Sequence, residues 1–522
     1  MILSIKNNLS IQTFNLQPWS SPMSANLDQL KTTFAEIADI HRAIAVLAWD
    51  QETYMPAGAA EARGDQLATL GRIAHLKATA PELGQLLETL QQETASLDPD
   101  SDEARLVKIA AHDYEKRTCI PAQFVAEIAK VTTLAHEAWV KARKESNFAL
   151  FQPHLAKIVE LTQRYITFFP PADHPYDVLL DDYEPGMKTA DVQAIFAALR
   201  PQQVALIQAI AARPPVDDAF LRRHYPEKGQ WDFGVEVITR LGYDWEHGRQ
   251  DKSVHPFTTG IAPTDVRITT RVNEHDLGDA FFSTVHEAGH ALYELGLPLA
   301  HDRTPLCNAA SLALHESQSR LWENLVARSL PFWEGAYPRL QEIFPDQLGK
   351  VDLEDFYKGI NKVAPSLIRV EADEATYNLH VMLRLEIEIG LVEGSIAVAD
   401  LPGVWNAKMQ EYLGLTPPND ALGVLQDVHW SGGSIGYFST YALGNLISAQ
   451  LWEQINREIL DLDHQMRCGH FAELLAWLRK NVHAYGRKYE PQELVQKITG
   501  SKIDPAPYMR YLQTKYGAIY GL

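Results

Sequence analysis

From Leu27 to about Ile44 the apolar positions Leu30, Phe34, Ile37 and Ile40 recur every three or four residues, the spacing of one buried stripe on a helix. The same period runs through Leu106–Ala111, Phe124–Arg143, Leu155–Phe168 and Thr189–Ala212, and again through Thr376–Val392, Leu446–Ile459 and Ala472–Tyr485. Pro and Gly punctuate these runs at Pro56-Ala-Gly58, Pro170-Pro171, Pro185-Gly186, Pro214-Pro215, Pro402-Gly403 and Pro417-Pro418. No internal repeat, low-complexity tract or long linker interrupts the pattern, so the chain reads as mainly α, with a single large helical domain over residues 26–522.

One segment follows a different period. In Asp265–Val272 the residues Val266, Ile268, Thr270 and Val272 alternate with Arg267, Thr269 and Arg271. Alternation with β-branched side chains predicts a half-buried strand. A lone strand needs partners, so a small β-sheet is expected here, with an edge able to pair with an extended peptide.

Composition narrows the function. Of 522 residues, 46% are hydrophobic and 22% charged, and 47 basic against 67 acidic residues leave a net charge of -20. That balance argues against nucleic acid, whose binding draws on clustered Lys and Arg. No apolar run reaches the roughly 18 residues of a membrane span, so no membrane partner is expected. Cys119, Cys307 and Cys468 are too scattered for a disulfide framework or a CxxC knuckle, so a bound metal must use His and carboxylate. Residues 1–25 are polar and weakly periodic and read as a disordered or upstream-start extension, with Met23 as an alternative start. The cytoplasm is the default location.

His286-Glu287-Ala288-Gly289-His290 is an H-E-x-x-H sequence. On a helix the two histidines are i, i+4 neighbours that can share a metal ion, and Glu287 falls beside the metal, where the general base for an activated water belongs. Phe281, Phe282, Val285, Ala291, Leu292 and Leu295 make the surrounding helix a buried one, and Gly296 ends it. A catalytic zinc takes three protein ligands and keeps one open position. Tyr293 stands where the extended motif has Gly, so the third ligand should be a carboxylate from Glu294, Glu316 or Glu323. Glu294 is too far along the same helix. Glu316 lies in a second helical stretch with Leu312, Leu321, Trp322, Leu325 and Val326, and the turn at 296–305 lets that stretch pack antiparallel. His315, Gln318 and Arg320 are placed to orient the ligands.

Further motifs accompany this pair in a fixed order: His255-Pro256-Phe257, Asp265-Val-Arg267-Ile-Thr269, His315-Glu316-Ser317-Gln318, Ile368-Arg369-Val-Glu-Ala372-Asp373 and Gly423-Val-Leu-Gln426-Asp427-Val-His429-Trp430. In these, and in Trp49-Asp50-Gln51-Glu-Thr53-Tyr-Met55-Pro56, the sequence resembles the thermostable, Taq-type metallocarboxypeptidases from about residue 30 onward. The resemblance implies a mostly helical fold with a deep active-site groove, and zinc held by His286, His290 and Glu316, exchangeable for cobalt. It further implies Glu287 as catalytic acid/base, a homodimer, and broad release of single C-terminal amino acids from peptides with a free C-terminus.

That activity assigns the remaining candidates. Tyr437 and Tyr441, an i, i+4 pair, can offer a phenol to the oxyanion, with His429 assisting. Arg369, in an apolar context with Asp373 as its i+4 neighbour, is the first choice to read the terminal carboxylate. Arg267 is the second, with a local pair to Asp265 as its simpler role, and His255 is a candidate for contact with the peptide backbone. A helical zinc oligopeptidase or dipeptidyl carboxypeptidase would share both zinc motifs. A non-catalytic metal scaffold would have no need of Glu287.

Overall fold

The computed structural model describes residues 22–522. The helical period becomes helices at Pro22–Thr53, Asp102–Thr118, Ala122–Glu145, Gln152–Ile166, Thr189–Ala211, Tyr377–Glu393, Ser439–Glu458 and Ala472–Asn481. The extension assigned to residues 1–25 falls largely outside the described residues, and its last four positions form the first turn of the helix that begins at Pro22. Helix Thr189–Ala211 is long and apolar enough to cross a bilayer. Its Val192, Ile195, Leu199, Leu206 and Ile210 are instead buried in the protein core.

Apolar faces gather into two cores. The larger runs through the body of the molecule from residue 135 onward. The smaller joins the helices Pro22–Thr53, Pro81–Thr94 and Asp102–Thr118 around Leu30, Phe34, Leu87, Leu90 and Leu106, and among the described residues beyond these helices Ala78 and Leu306 also enter it. Charge therefore closes much of the seam: Arg105 pairs with Glu493 at 2.7 Å, Arg487 with Asp113 at 2.6 Å and Lys488 with Asp102 at 2.6 Å.

The sheet has the order β1-β3-β2, with β1 (Gly248–Lys252) parallel and β2 (Thr258–Ala262) antiparallel to β3 (Asp265–Thr270). The predicted strand is thus the central one, which is why Val266 and Ile268 are fully buried, and it ends at Thr270 rather than Val272. β2 forms one edge and lies against the helix Leu277–Glu294 that carries H-E-x-x-H.

Three helices meet at the centre: Leu277–Glu294, Leu312–Arg320 and Ser439–Glu458. They approach so closely that glycine is required at two crossings. A Cβ on Gly289 would stand 2.7 Å from the Ser319 Cα, and one on Gly444 would stand 2.7 Å from the Glu316 Cγ. Asp276 caps the first helix by accepting from the Gly278 N–H, and Ser311 caps the second by accepting from the Leu314 N–H. A seven-residue π-helical segment, Leu321–Ala327, follows directly on the second helix.

Two predictions follow from these crossings and from the seam. Gly289→Ala meets backbone, which cannot yield as a flexible side chain would, so a loss of about 1–3 kcal/mol is expected in denaturant unfolding, accompanied by weaker metal binding. At the seam His112 lies 3.2 Å from Asp181 and 3.7 Å from Asp113. The neighbouring carboxylates of Asp113 and Asp181 push its imidazole up to about 9 against the effect of burial. A folded pKa above the unfolded one gives stability that is complete below pH 6.5 and fades as the pH rises through about 9. Thermal unfolding between those limits should show this decline, and His112→Gln should flatten it.

Candidate active site

On the helix Leu277–Glu294, His286 and His290 face the same way, with ring centroids 4.8 Å apart. The neighbouring helix crosses antiparallel: His286 meets Glu323, His290 meets Glu316, and Glu294 meets His315 at 2.8 Å. The Glu316 Oε2 lies 3.4 Å from the His290 Nε2 and 3.7 Å from the His286 Nε2, and the three ligand atoms fall within 4.8 Å of one another. Tetrahedral zinc with bonds of ~2.1 Å holds its ligands roughly 3.4 Å apart, so the donor set fits. Both imidazoles keep some exposure, 18% and 15% of their side chains, so the centre can be reached from solvent.

The charges around the ligands suit a cation. Burial alone would raise the Glu316 carboxyl, but Arg320 and His286 outweigh it and hold it well below the usual range. Burial, with His315 beside it, lowers His290 to about 3, which leaves a neutral ring with a lone pair to give. At His286 burial opposes charge, yet Glu316 and Glu323 raise its pKa, so this corner of the site attracts positive charge. The His286 Nδ1 lies 2.9 Å from the Glu323 Oε2, which fixes its tautomer and leaves Nε2 as the ligand atom.

Glu323 was a candidate third ligand in the sequence, and the geometry gives it this supporting place instead. Arg320 donates to it at 3.3 Å and Arg328 at 3.2 Å, while the Arg320 Nε donates to the Glu316 Oε1 at 2.7 Å. Glu316 and Arg320 thus form a buried i, i+4 pair. His315 stacks on His290 at 4.5 Å, and Gln318 meets His483 at 3.1 Å.

Glu287 lies beside the three ligands, 8% exposed, and burial raises its carboxyl. The Thr258 hydroxyl, at the start of β2, lies 2.6 Å from the Glu287 Oε2 and 2.9 Å from its main-chain oxygen. Sequence reasoning passed over Thr258; its position directly after His255-Pro256-Phe257 was the available signal.

A chain of contacts joins this centre to the other predicted residues. The Arg320 guanidinium covers the Tyr377 ring at 4.8 Å, and the Tyr377 hydroxyl accepts from the Arg369 Nη1 at 2.9 Å. Arg369 lies over Tyr441 at 4.9 Å, and Tyr441 lies 3.5 Å from the His429 Nε2. The ring centroids of Tyr437 and Tyr441 are 5.3 Å apart, and burial raises both phenols, keeping them protonated donors. Burial, with Arg369, lowers His429 to about 4.

Arg369 does not pair with Asp373, its i+4 neighbour. The Arg369 Nε and Nη2 donate to the Asp427 Oδ1 at 3.0 and 2.9 Å, while the Asp373 Oδ1 accepts from the Ala375 and Thr376 N–H groups ahead of the next helix. Arg384, fully buried, donates to the other Asp427 oxygen at 2.7 Å. The structure does not bring the other two residues into this chain. Arg267 pairs with Asp265 at 2.8 Å and stacks on Trp49 at 4.5 Å, and the His255 ring is exposed.

A buried H-E-x-x-H helix, a carboxylate from an antiparallel second helix and an edge strand beside Glu287 define a helical metallopeptidase. Over residues 29–516 the sequence matches the profile of the carboxypeptidase Taq (M32) metallopeptidase family, and the chain belongs to that family as a metallocarboxypeptidase. It is similar to thermostable carboxypeptidase 1 of Thermus thermophilus, 43% identical over 91% of this chain and 95% of that one. Carboxypeptidase 1 of Bacillus subtilis is 37% identical over 93% of this chain and 96% of its own length. The crystal structure of the M32 carboxypeptidase from Deinococcus radiodurans R1 superposes with a TM-score of 0.93 at 42% identity, over 95% of this chain and 100% of that one.

Glu323 yields a direct test of the supporting shell. Glu323→Gln removes the charge on the His286 Nδ1, and metal affinity in chelator competition should fall about 10–100-fold while the fold is kept. An unchanged affinity would mean that Glu323 does not orient His286.

Proposed function

We propose that His286, His290 and Glu316 hold zinc, with cobalt as a competent substitute, and that the enzyme releases single amino acids from the C-termini of peptides. The observation that carries this reading is the spacing of the three ligand atoms, with Glu287 beside them and a free position on the solvent side. A zinc ion in that place supplies Lewis acidity, acidifying a water molecule and polarising the scissile carbonyl.

The protein's own groups supply the rest. Glu287 takes the proton of the attacking water and delivers it to the leaving nitrogen. The Tyr437 and Tyr441 phenols donate to the oxyanion, with neutral His429 at their side. Arg369 reads the terminal carboxylate. Asp427 takes the Nε–H and one Nη2–H, and Tyr377 takes one Nη1–H, so each terminal nitrogen keeps an N–H for the substrate. The Arg267–Asp265 pair and His255 frame the peptide from the sheet side. Following the family resemblance, the working enzyme is a homodimer, and the cytoplasm is its default location.

The test uses a blocked dipeptide with a free C-terminus and its C-terminal amide. Only the free acid should be cleaved. Chelation should abolish cleavage, and Glu287→Gln should lower kcat about 10²–10⁴-fold while metal content is retained. Equal cleavage of both substrates would contradict Arg369 as a carboxylate reader and favour an endo-acting oligopeptidase.

A further inference from the structure

Resting on the reading of Arg369 given above, this inference concerns what holds that arginine in place. Arg369 sits in the segment 361–376, whose regular structure is a single turn, Arg369–Glu371, between the helices Leu353–Ile360 and Tyr377–Glu393. A segment this irregular does not fix a side chain by itself, and positioning a bidentate reader demands that something else does. From the front, the Gln426 Oε1 accepts from the Arg369 N–H at 2.9 Å, and Asp427 and Tyr377 hold its guanidinium.

From behind, both ends of the segment are gripped by the C-terminal helix Ala506–Tyr520. At one end the Tyr520 hydroxyl accepts from the Val363 N–H at 2.8 Å. At the other, the Tyr508 hydroxyl donates to the Glu374 carbonyl at 2.9 Å, and the Lys515 Nζ meets the Glu374 Oε2 at 2.7 Å. The Lys515 and Glu374 side chains are 5% and 4% exposed, and the Lys515 Nζ also donates to the Tyr511 hydroxyl at 2.9 Å. Tyr508, Tyr511 and Lys515 share one helix face by their spacing of three and four. The same face reaches the metal side, because the Tyr511 hydroxyl donates at 3.2 Å to the main-chain oxygen of Asn324, the residue next to Glu323 in the π-helical segment.

We propose that the C-terminal helix sets the register of the carboxylate reader against the metal centre, with the buried Lys515–Glu374 pair as its fixed point and Lys515 as a positioning residue. A buried ion pair is a weak source of net stability, since two apolar side chains of similar volume often serve as well or better. Its geometric value is different: it joins one helix to a single place on an irregular segment, and no apolar pair has that directionality.

The inference is tested in the metal-loaded enzyme with the double variant Lys515→Met/Glu374→Met, which avoids stranding one buried charge, and with the milder Tyr520→Phe. The double variant should keep its metal affinity and hold kcat within about twofold, while KM for the free-acid dipeptide rises about tenfold. Tyr520→Phe should move KM in the same direction by less. A purely structural role would lower kcat, metal affinity and stability together, and that result, or an unchanged KM in a folded double variant, overturns the inference. Arg369→Met is run alongside. If it also leaves KM and the preference for free acid over amide untouched, the Arg369 reading fails and takes this inference with it. If it raises KM while the double variant does not, only the role of Lys515 is refuted.

Discussion

The active site depends on how closely three helices cross. At Gly289 and Gly444 a single added carbon would collide with the Ser319 backbone or the Glu316 side chain. Only at that separation does the Glu316 carboxylate reach both imidazoles. Interiors this dense transmit displacement instead of absorbing it, so the ligand spacing inherits the rigidity of the helix packing. The caps at Asp276 and Ser311 fix where two of these helices begin, and thereby which residues face the crossing.

Charge organises what packing brings together. A line of buried ionic and aromatic contacts runs from Glu323 through Arg320 to Glu316, and from Arg320 across Tyr377 to Arg369, Asp427 and Arg384. Each buried charge in it has an opposite partner, as low dielectric demands. The cluster of His286, His290 and Glu316 and the buried Arg369 thus belong to one network. Tyr377 is the joint between the two halves, stacked under Arg320 and bonded to Arg369.

Much of this was legible in the sequence because its signals are local. Helical period, the i, i+4 histidines and the period-two strand all follow from spacing along one element. The antiparallel crossing of the Glu316 helix was within reach because the interval from His290 leaves room to finish one helix, turn and return. Glu323 and Asp427 were harder. Their partners, His286 and Arg369, lie on other elements, and only the fold selects Asp427 over the nearer Asp373. The π-helical segment at Leu321–Ala327 leaves no period that a sequence reading would pick out. Thr258 stands just beyond the His255-Pro256-Phe257 motif and Lys515 in none; one turns its hydroxyl toward Glu287, the other meets Glu374 from a helix remote in sequence.

The account is tested most directly by anomalous diffraction across the zinc absorption edge from crystals of the zinc-loaded enzyme. It predicts one strong peak per chain, about 2.0–2.2 Å from the Nε2 of His286 and His290 and from a Glu316 oxygen. Glu323 should remain on the His286 Nδ1, outside the coordination sphere. A peak ligated by Glu323 in place of Glu316, or one lying away from both histidines, would contradict it.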